Sequence, residues 1–476
     1  MAHRAVNGIL IFICFFFLNA CGGSGSNSIS SQTSPFGGQN SPTPPSHANQ
    51  WTWVSGSNLA NQSGSYGQQG TPASSNAPPA RYGAATWKDA AGNLWLFGGI
   101  TAPTSTSDTY YNDLWKFSSG QWTWVGGSNT TNEPSNFGAL NVAAPSNIAG
   151  GRSNAATWMD NSGNFWLFGG GGVFVPGVGQ DMNNLWRYSN DEWTWMGGPQ
   201  NVLSGAPGVY GTKGVADPGN LPGPRSYAMS WTDKAGNFWL FGGLGDDSVG
   251  NWGDLNDLWK YSNGQWTWVS GSNLVNQSAV YGNMGIPDPT NTPGGRINSS
   301  AWIDSNGDLW LFGGEIRLQV ANGVTGGMLN DLWKFSNGQW TWMGGSNQPD
   351  QPGVYGTKGV ASSANMPGGR SGAATWIDAS GNVWLFSGCC SPWASDLWKY
   401  SNGQWTWIGG TQTTSGGTYG TLGIASSSNI PGSRVFAAAW TDNEGHLWLF
   451  GGSGNDSTGT SASSLGYLND LWEYQP

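Results

Sequence analysis

The stretch Gly466-Tyr-Leu-Asn-Asp-Leu-Trp-Glu-Tyr-Gln-Pro476 decides the fold. Earlier copies of the phrase run on, within a few residues, into Trp-Thr-Trp. Asn112-Asp-Leu-Trp-Lys-Phe117 leads to Trp122-Thr-Trp124, and Asn256-Asp-Leu-Trp-Lys-Tyr261 leads to Trp266-Thr-Trp268. The last copy has no such sequel. A Trp51-Thr-Trp53 with no phrase before it stands near the other end of the chain. The two fragments are complementary.

Working outward, the chain is six copies of one unit. Asn93-Leu-Trp-Leu-Phe-Gly-Gly99 recurs from 164, 237, 308, 382 and 446. An Arg precedes each copy, at Arg81, Arg152, Arg225, Arg296, Arg370 and Arg434, at a mean spacing of about 71 residues. Each unit reads as four short strands rich in aromatic and β-branched residues. Strand A is Arg152-Ser-Asn-Ala-Ala-Thr-Trp-Met159, B is Asn164-Phe-Trp-Leu-Phe168, C is Asn184-Leu-Trp-Arg-Tyr188 and D is Glu192-Trp-Thr-Trp-Met196. The A–B link (Asp160-Asn-Ser-Gly-Asn164) and the C–D link (Ser262-Asn-Gly-Gln265) are hairpin turns in which Gly supplies positive φ. Six units of four antiparallel strands predict an all-β, six-bladed β-propeller. Its last blade takes strand D from Trp51–Trp53, which closes the ring and removes exposed edges.

The unit resembles the Kelch family. The resemblance rests on Gly98-Gly99 and its equivalents after strand B, and on the spaced aromatic pairs Phe117…Trp122, Tyr188…Trp193, Tyr261…Trp266, Phe335…Trp340 and Tyr400…Trp405, with Tyr474 paired to Trp51. It covers 51–476 and implies four-stranded blades closed in this way. Two features depart from it. The unit exceeds the usual ~50 residues, and the fifth blade has Phe386-Ser-Gly388. The extra length lies between D and the next A, where Tyr210-Gly-Thr-Lys-Gly-Val-Ala216 recurs at 355 and, with Leu422 and Ile424, at 419. A repeated phrase of this kind is expected to pack as a second layer over one face.

Residues 1–20 read as a lipoprotein signal peptide. Ile9–Leu18 is an apolar run of signal-core length, too short to span a bilayer, and Leu18-Asn-Ala-Cys21 resembles a lipobox, which implies lipid on Cys21. Residues 21–50 are a Ser/Gly/Pro tether, and 51–476 the propeller. The expected address is the bacterial cell envelope, at the outer membrane or cell surface, with the membrane reached through the lipid. The chain carries a formal charge of −10, which argues against nucleic acid as a partner. A monomer without cofactor or metal is expected.

Strand alternation puts the A–B and C–D turns on one face and the long, variable B–C and D–A segments on the other. Binding residues belong on the second face. All but two of the 32 Trp occupy repeat positions. The exceptions, Trp252 and Trp393, lie in B–C loops and read either as stacking platforms or as loop packing. The six Arg read either as an anion-attracting channel ring or as structural partners of the repeated Asp113, Asp257, Asp331, Asp396 and Asp470, with Asn184 substituting in the second blade. Cys389 and Cys390 read as a strained vicinal disulfide, a thiol pair or a metal contact. Asp304-Ser-Asn-Gly-Asp308 looks like the start of a calcium loop but runs into a strand, so a hairpin turn is expected.

The first functional reading is a non-catalytic scaffold that binds a protein or a glycan. The second is a sugar mutarotase or epimerase, with Glu315, Arg317, Asp246 and Asp247 as pattern-breaking loop charges. The same four residues read equally as solvated loop charges. Some Kelch propellers resemble galactose oxidase, whose copper site needs His ligands. His446 alone lies in the propeller, on the short-turn face, so that chemistry is disfavoured. A purely structural envelope protein is the third reading.

Overall fold

The computed structural model describes residues 47–101, 108–175, 178–200, 206–320, 323–389, 393–459 and 466–476. His47–Pro476 is one compact unit. Its described residues are all-β, arranged as six four-stranded antiparallel blades in the order A-B-C-D. The first blade is Ala85–Lys88, Leu94–Phe97, Leu114–Ser118 and Gln121–Gly126. Cys21, its flanking signal and most of the tether lie outside the described residues.

Strand D of the sixth blade is Gln50–Ser55, paired with Gly466–Gln475. Trp51 faces Tyr474 and Trp53 faces Trp472, the register in which Trp122 faces Phe117 and Trp124 faces Trp115. Ring geometry repeats as well. Trp51 lies 5.0 Å from Tyr474 and 6.4 Å from Trp472, and Trp122 lies 5.1 Å from Phe117 and 6.4 Å from Trp115. The two ends of the unit thus make one blade by the same side-chain contacts as any other.

The apolar cores sit between blades. One joins Leu94, Leu96, Trp115 and Trp122 of the first blade to Trp440, Phe450 and Leu471 of the sixth. Strand-A indoles cross the same seams: Trp87 donates to the Trp158 carbonyl at 3.0 Å, and Trp440 to the Trp95 carbonyl at 3.1 Å. Two residues after each repeated Arg, Gly83, Asn154, Tyr227, Asn298, Gly372 and Phe436 all have positive φ. Their backbone N–H groups bond head to tail, from Asn154 to Gly83 and onward through each blade, until Gly83 donates to Phe436 at 3.0 Å. The fold demands this conformation at all six positions. Gly and Asn adopt it readily, whereas Tyr227 and Phe436 are bulky residues held there against local preference.

The repeated Arg residues pair within blades, not between them. Arg81–Asp113, Arg225–Asp257, Arg296–Asp331, Arg370–Asp396 and Arg434–Asp470 are buried ion pairs of 2.5–2.9 Å. Each guanidinium is also spent on backbone carbonyls, as Arg225 is on Gly242 and Gly223. An anion-attracting ring of Arg around the channel is therefore ruled out. Tyr66, Tyr210, Tyr281, Tyr355 and Tyr419 donate to the same carboxylates. In the second blade both partners change together: Phe137 replaces the Tyr, and Asn184 Oδ1 accepts from Arg152 at 2.8 Å. Burial without a carboxylate pushes the Arg152 pKa down to about 9.

The D–A phrase differs from expectation. It runs along the outer edge of strand D in the following blade rather than over one face. Gly214 N–H donates to the Trp268 carbonyl at 2.8 Å, and Ala216 and Asp217 pair with Thr267 and Trp266. The physical reason is edge protection, since strand D would otherwise leave its outer N–H and C=O groups unpaired.

Candidate functional site

On the short-turn face one motif repeats. Asp89 Oδ1 accepts the Ala91 and Asn93 N–H groups, and Oδ2 accepts Asn93 Nδ2 and, at 2.9 Å, Trp95 Nε1. Asp304 does the same with Asn306, Asp308 and Trp310. Its oxygens are satisfied by N–H donors, which suits a hairpin turn and leaves no ion-binding loop. Lys or Arg on strand C lies over the strand-B indole in five blades, as Lys116 does over Trp95 at 5.5 Å. The sixth blade has Glu473 there, and His446 Nδ1 sits 2.8 Å from Glu473 Oε1 and 3.3 Å from Asp442 Oδ2. That Asp442 oxygen also accepts from Trp448 Nε1 at 2.8 Å.

The opposite face holds a cavity of about 660 Å³. It lies where strand A begins and the B–C hairpins emerge, across the first three blades. Tyr82, Tyr110, Tyr227 and Trp252 wall it, with Asp181 and Asp246. The third blade builds one side. Strands Phe238–Asp246 and Trp252–Ser262 stay paired beyond the sheet, up to Asp246 opposite Trp252. Asp247 turns the hairpin: Oδ1 accepts Val249 and Asn251 N–H at 2.9 Å, and Oδ2 accepts Val275 N–H. It is a buried staple rather than a solvated charge.

Trp252 is 52% exposed, yet it is fixed from both neighbouring blades. Its Nε1 donates to Asp181 Oδ2 of the second blade at 3.2 Å. Arg317 of the fourth blade places its guanidinium carbon 5.4 Å from the ring centroid. Asp254 Oδ1 in turn accepts Arg317 Nε and Nη2, both at 3.2 Å. The long hairpin of Leu309–Val320 with Gly323–Ser336 is what carries Arg317 that far. Burial raises the Asp181 carboxyl above the usual range despite the Trp252 bond and the nearby Arg317. Burial likewise raises Asp254 and Glu315, against the pull of Arg317. The Tyr227 hydroxyl is pushed up to about 12, by burial first and then by Asp181.

Compared with known family profiles and with curated protein sequences, the chain has no match. Solved structures similar to it include YjhT, at 12% identity and TM-score 0.45, over 85% of this chain and 95% of that one. A fungal alcohol oxidase of the AA5 family in complex with copper is similar at 12% identity and TM-score 0.44, over 87% and 77%. A protein of unknown function from Dyadobacter fermentans is similar at 13% identity and TM-score 0.43, over 83% and 95%. Likeness at this level transfers no ligand, activity or residue role.

The structure therefore gathers Trp252, Arg317 and Asp246 at one site, with Glu315 beside Arg317 on the same strand. It does not bring Trp393 there. Trp393 is half-buried in the fifth blade, and its carbonyl accepts from Ser433 Oγ at 3.4 Å. Cys389 pairs through its backbone with Ser371, and Cys390 lies outside the described residues. Sequence reasoning missed Asp181, Asp254, Tyr82, Tyr110 and Tyr227. One signal was available: Tyr227 and Phe436 stand where the other repeats have Gly or Asn. Phe436 lies 5.7 Å from Tyr82 and 5.9 Å from Tyr227, so the two departures share one aromatic cluster.

Proposed function

We propose that this propeller is a non-catalytic glycan-binding module, tethered through a lipidated Cys21 to a bacterial envelope membrane. The observation that carries the reading is the aromatic cavity walled by Trp252 and the strained Tyr227. A bulky residue held at positive φ costs on the order of 1–3 kcal/mol, and such strain concentrates where a site needs it. Flat rings beside carboxylates suit a sugar, whose C–H face stacks while its hydroxyls donate. The cavity has the volume of a small-ligand site.

The test is binding of the unit His47–Pro476 to a glycan array, beside Trp252→Ala and Trp393→Ala separately. Sugar binding lost in Trp252→Ala and kept in Trp393→Ala supports the reading. Absence of any hit, or equal loss in both variants, overturns it.

A second reading, acid–base chemistry on a sugar, has its own support. Asp181 and Glu315 are carboxyls held up by burial near Arg317, the direction that general acid–base catalysis by a carboxyl uses. Faster interconversion of sugar anomers, followed by NMR and lost in Asp181→Asn, is its expected signature.

A further inference from the structure

We infer that the ligand of this cavity carries a protonated amine, as in a de-N-acetylated amino sugar, seated between the aromatic wall and the carboxylates of Asp108, Asp181 and Asp246. The inference rests on the glycan-binding reading and narrows it.

Charge is the first argument. Three carboxylates line the cavity and no Lys or Arg does, among the described residues. Arg317 and Arg225 act on Asp181 from nearby, and both are committed, Arg317 to Asp254 and the Trp252 ring and Arg225 to Asp257. An anionic sugar entering here would meet acidic groups and, among the described residues, no lining cation. An ammonium would meet acids of opposite charge, in a chain whose formal charge is already −10.

The walls make the same selection. Tyr82, Tyr110, Tyr227 and Trp252 line the cavity, and an aromatic ring attracts cations through its negative quadrupole, as the Trp252 ring does with Arg317. Tyr110 also shares a hydrogen bond with Asp108, which ties one ring to one carboxylate. A purely apolar stacking site would not need acids among its rings, and a purely ionic site would not need the rings. Asp181 adds a physical cause. Burial disfavours its ionised form in the empty site, and a bound cation would restore it.

The probes are chitosan trisaccharide, which is cationic, and its fully N-acetylated counterpart of the same length. Each is titrated into His47–Pro476 by calorimetry at low and high salt, beside Asp108→Asn and Asp181→Asn, with thermal unfolding as the check on folding. The expected result is at least about tenfold tighter binding of the amine form, weakened by salt and by either folded variant. Equal affinity for the two forms overturns the amine inference and leaves the glycan reading standing. Amine binding that salt abolishes but neither variant changes also overturns it, because the attraction is then to the acidic surface at large. Binding of neither form counts against both readings.

Discussion

The two faces of this propeller are made by hairpins of the same strands, and they follow opposite rules. On the short-turn face every blade repeats the Asp89 arrangement, and in four of them the turn acid is held down. Burial works upward on Asp89, Asp160, Asp233 and Asp378, and hydrogen bonds from an indole, a side-chain amide and the turn backbone overcome it. On the loop face the described hairpins differ in length from blade to blade, and burial holds Asp181, Asp254 and Glu315 up. The first face answers each turn Asp with N–H donors from the turn and an indole. On the second face the acids differ from one another: Asp247 and Asp456 are answered by N–H donors, whereas burial outweighs the partners of Asp181 and Asp254.

The largest expected effect breaks the scaffold beneath the loop face. Asp257→Ala strands the Arg225 guanidinium, and removing one partner of such a buried pair costs about 3–5 kcal/mol. Urea unfolding checks this. Asp233→Ala, on the short-turn face, removes the acceptor for Ala235, Asn237 and Trp239. A stability loss of roughly 1–3 kcal/mol with glycan binding intact is expected, whereas a binding loss of the same size would erase the distinction between the faces.

Tyr227→Asn should act with the opposite sign. It exchanges a strained aromatic for a residue at ease at positive φ, so stability holds or rises by up to about 1 kcal/mol while binding falls. A fall in both would make Tyr227 a packing residue.

Acid titration sharpens the comparison further. A turn Asp has a folded pKa below its unfolded one. Its stabilisation is complete above the unfolded value and is lost as pH falls through the folded value. Asp181, Asp254 and Glu315 have raised folded pKa values. They oppose folding once ionised, and that opposition fades as pH drops through their folded values. Unfolding followed from about pH 7 to 3 should therefore show a shallower acid-side loss in Asp233→Asn and a gain near neutrality in Asp181→Asn. The smallest effect belongs to Trp393→Ala, for which unchanged glycan affinity is expected.

The repeat makes most of the fold legible in the sequence. Six copies of one pattern must bury one set of contacts, so Trp51 could be assigned to Tyr474 across the whole length of the propeller. The Arg–Asp pairing was also readable as a regularity, though not its confinement to single blades. The candidate site was legible only in part. Trp252 and Arg317 stood out as departures from the repeat, and so did Trp393, which the fold leaves elsewhere. Asp247 looked like a loop charge because a sequence does not reveal which N–H groups an acid will cap.

What the sequence determined by itself was everything periodic: strand order, turn chemistry, and the joining of the first strand to the last phrase. Each of these is a local contact copied six times, and copying makes it visible. Only the tertiary structure decided the meeting of Asp181, Trp252, Asp254 and Arg317 from three different blades. Those contacts occur once, between hairpins of unequal length, and no period in the chain encodes how far each hairpin reaches.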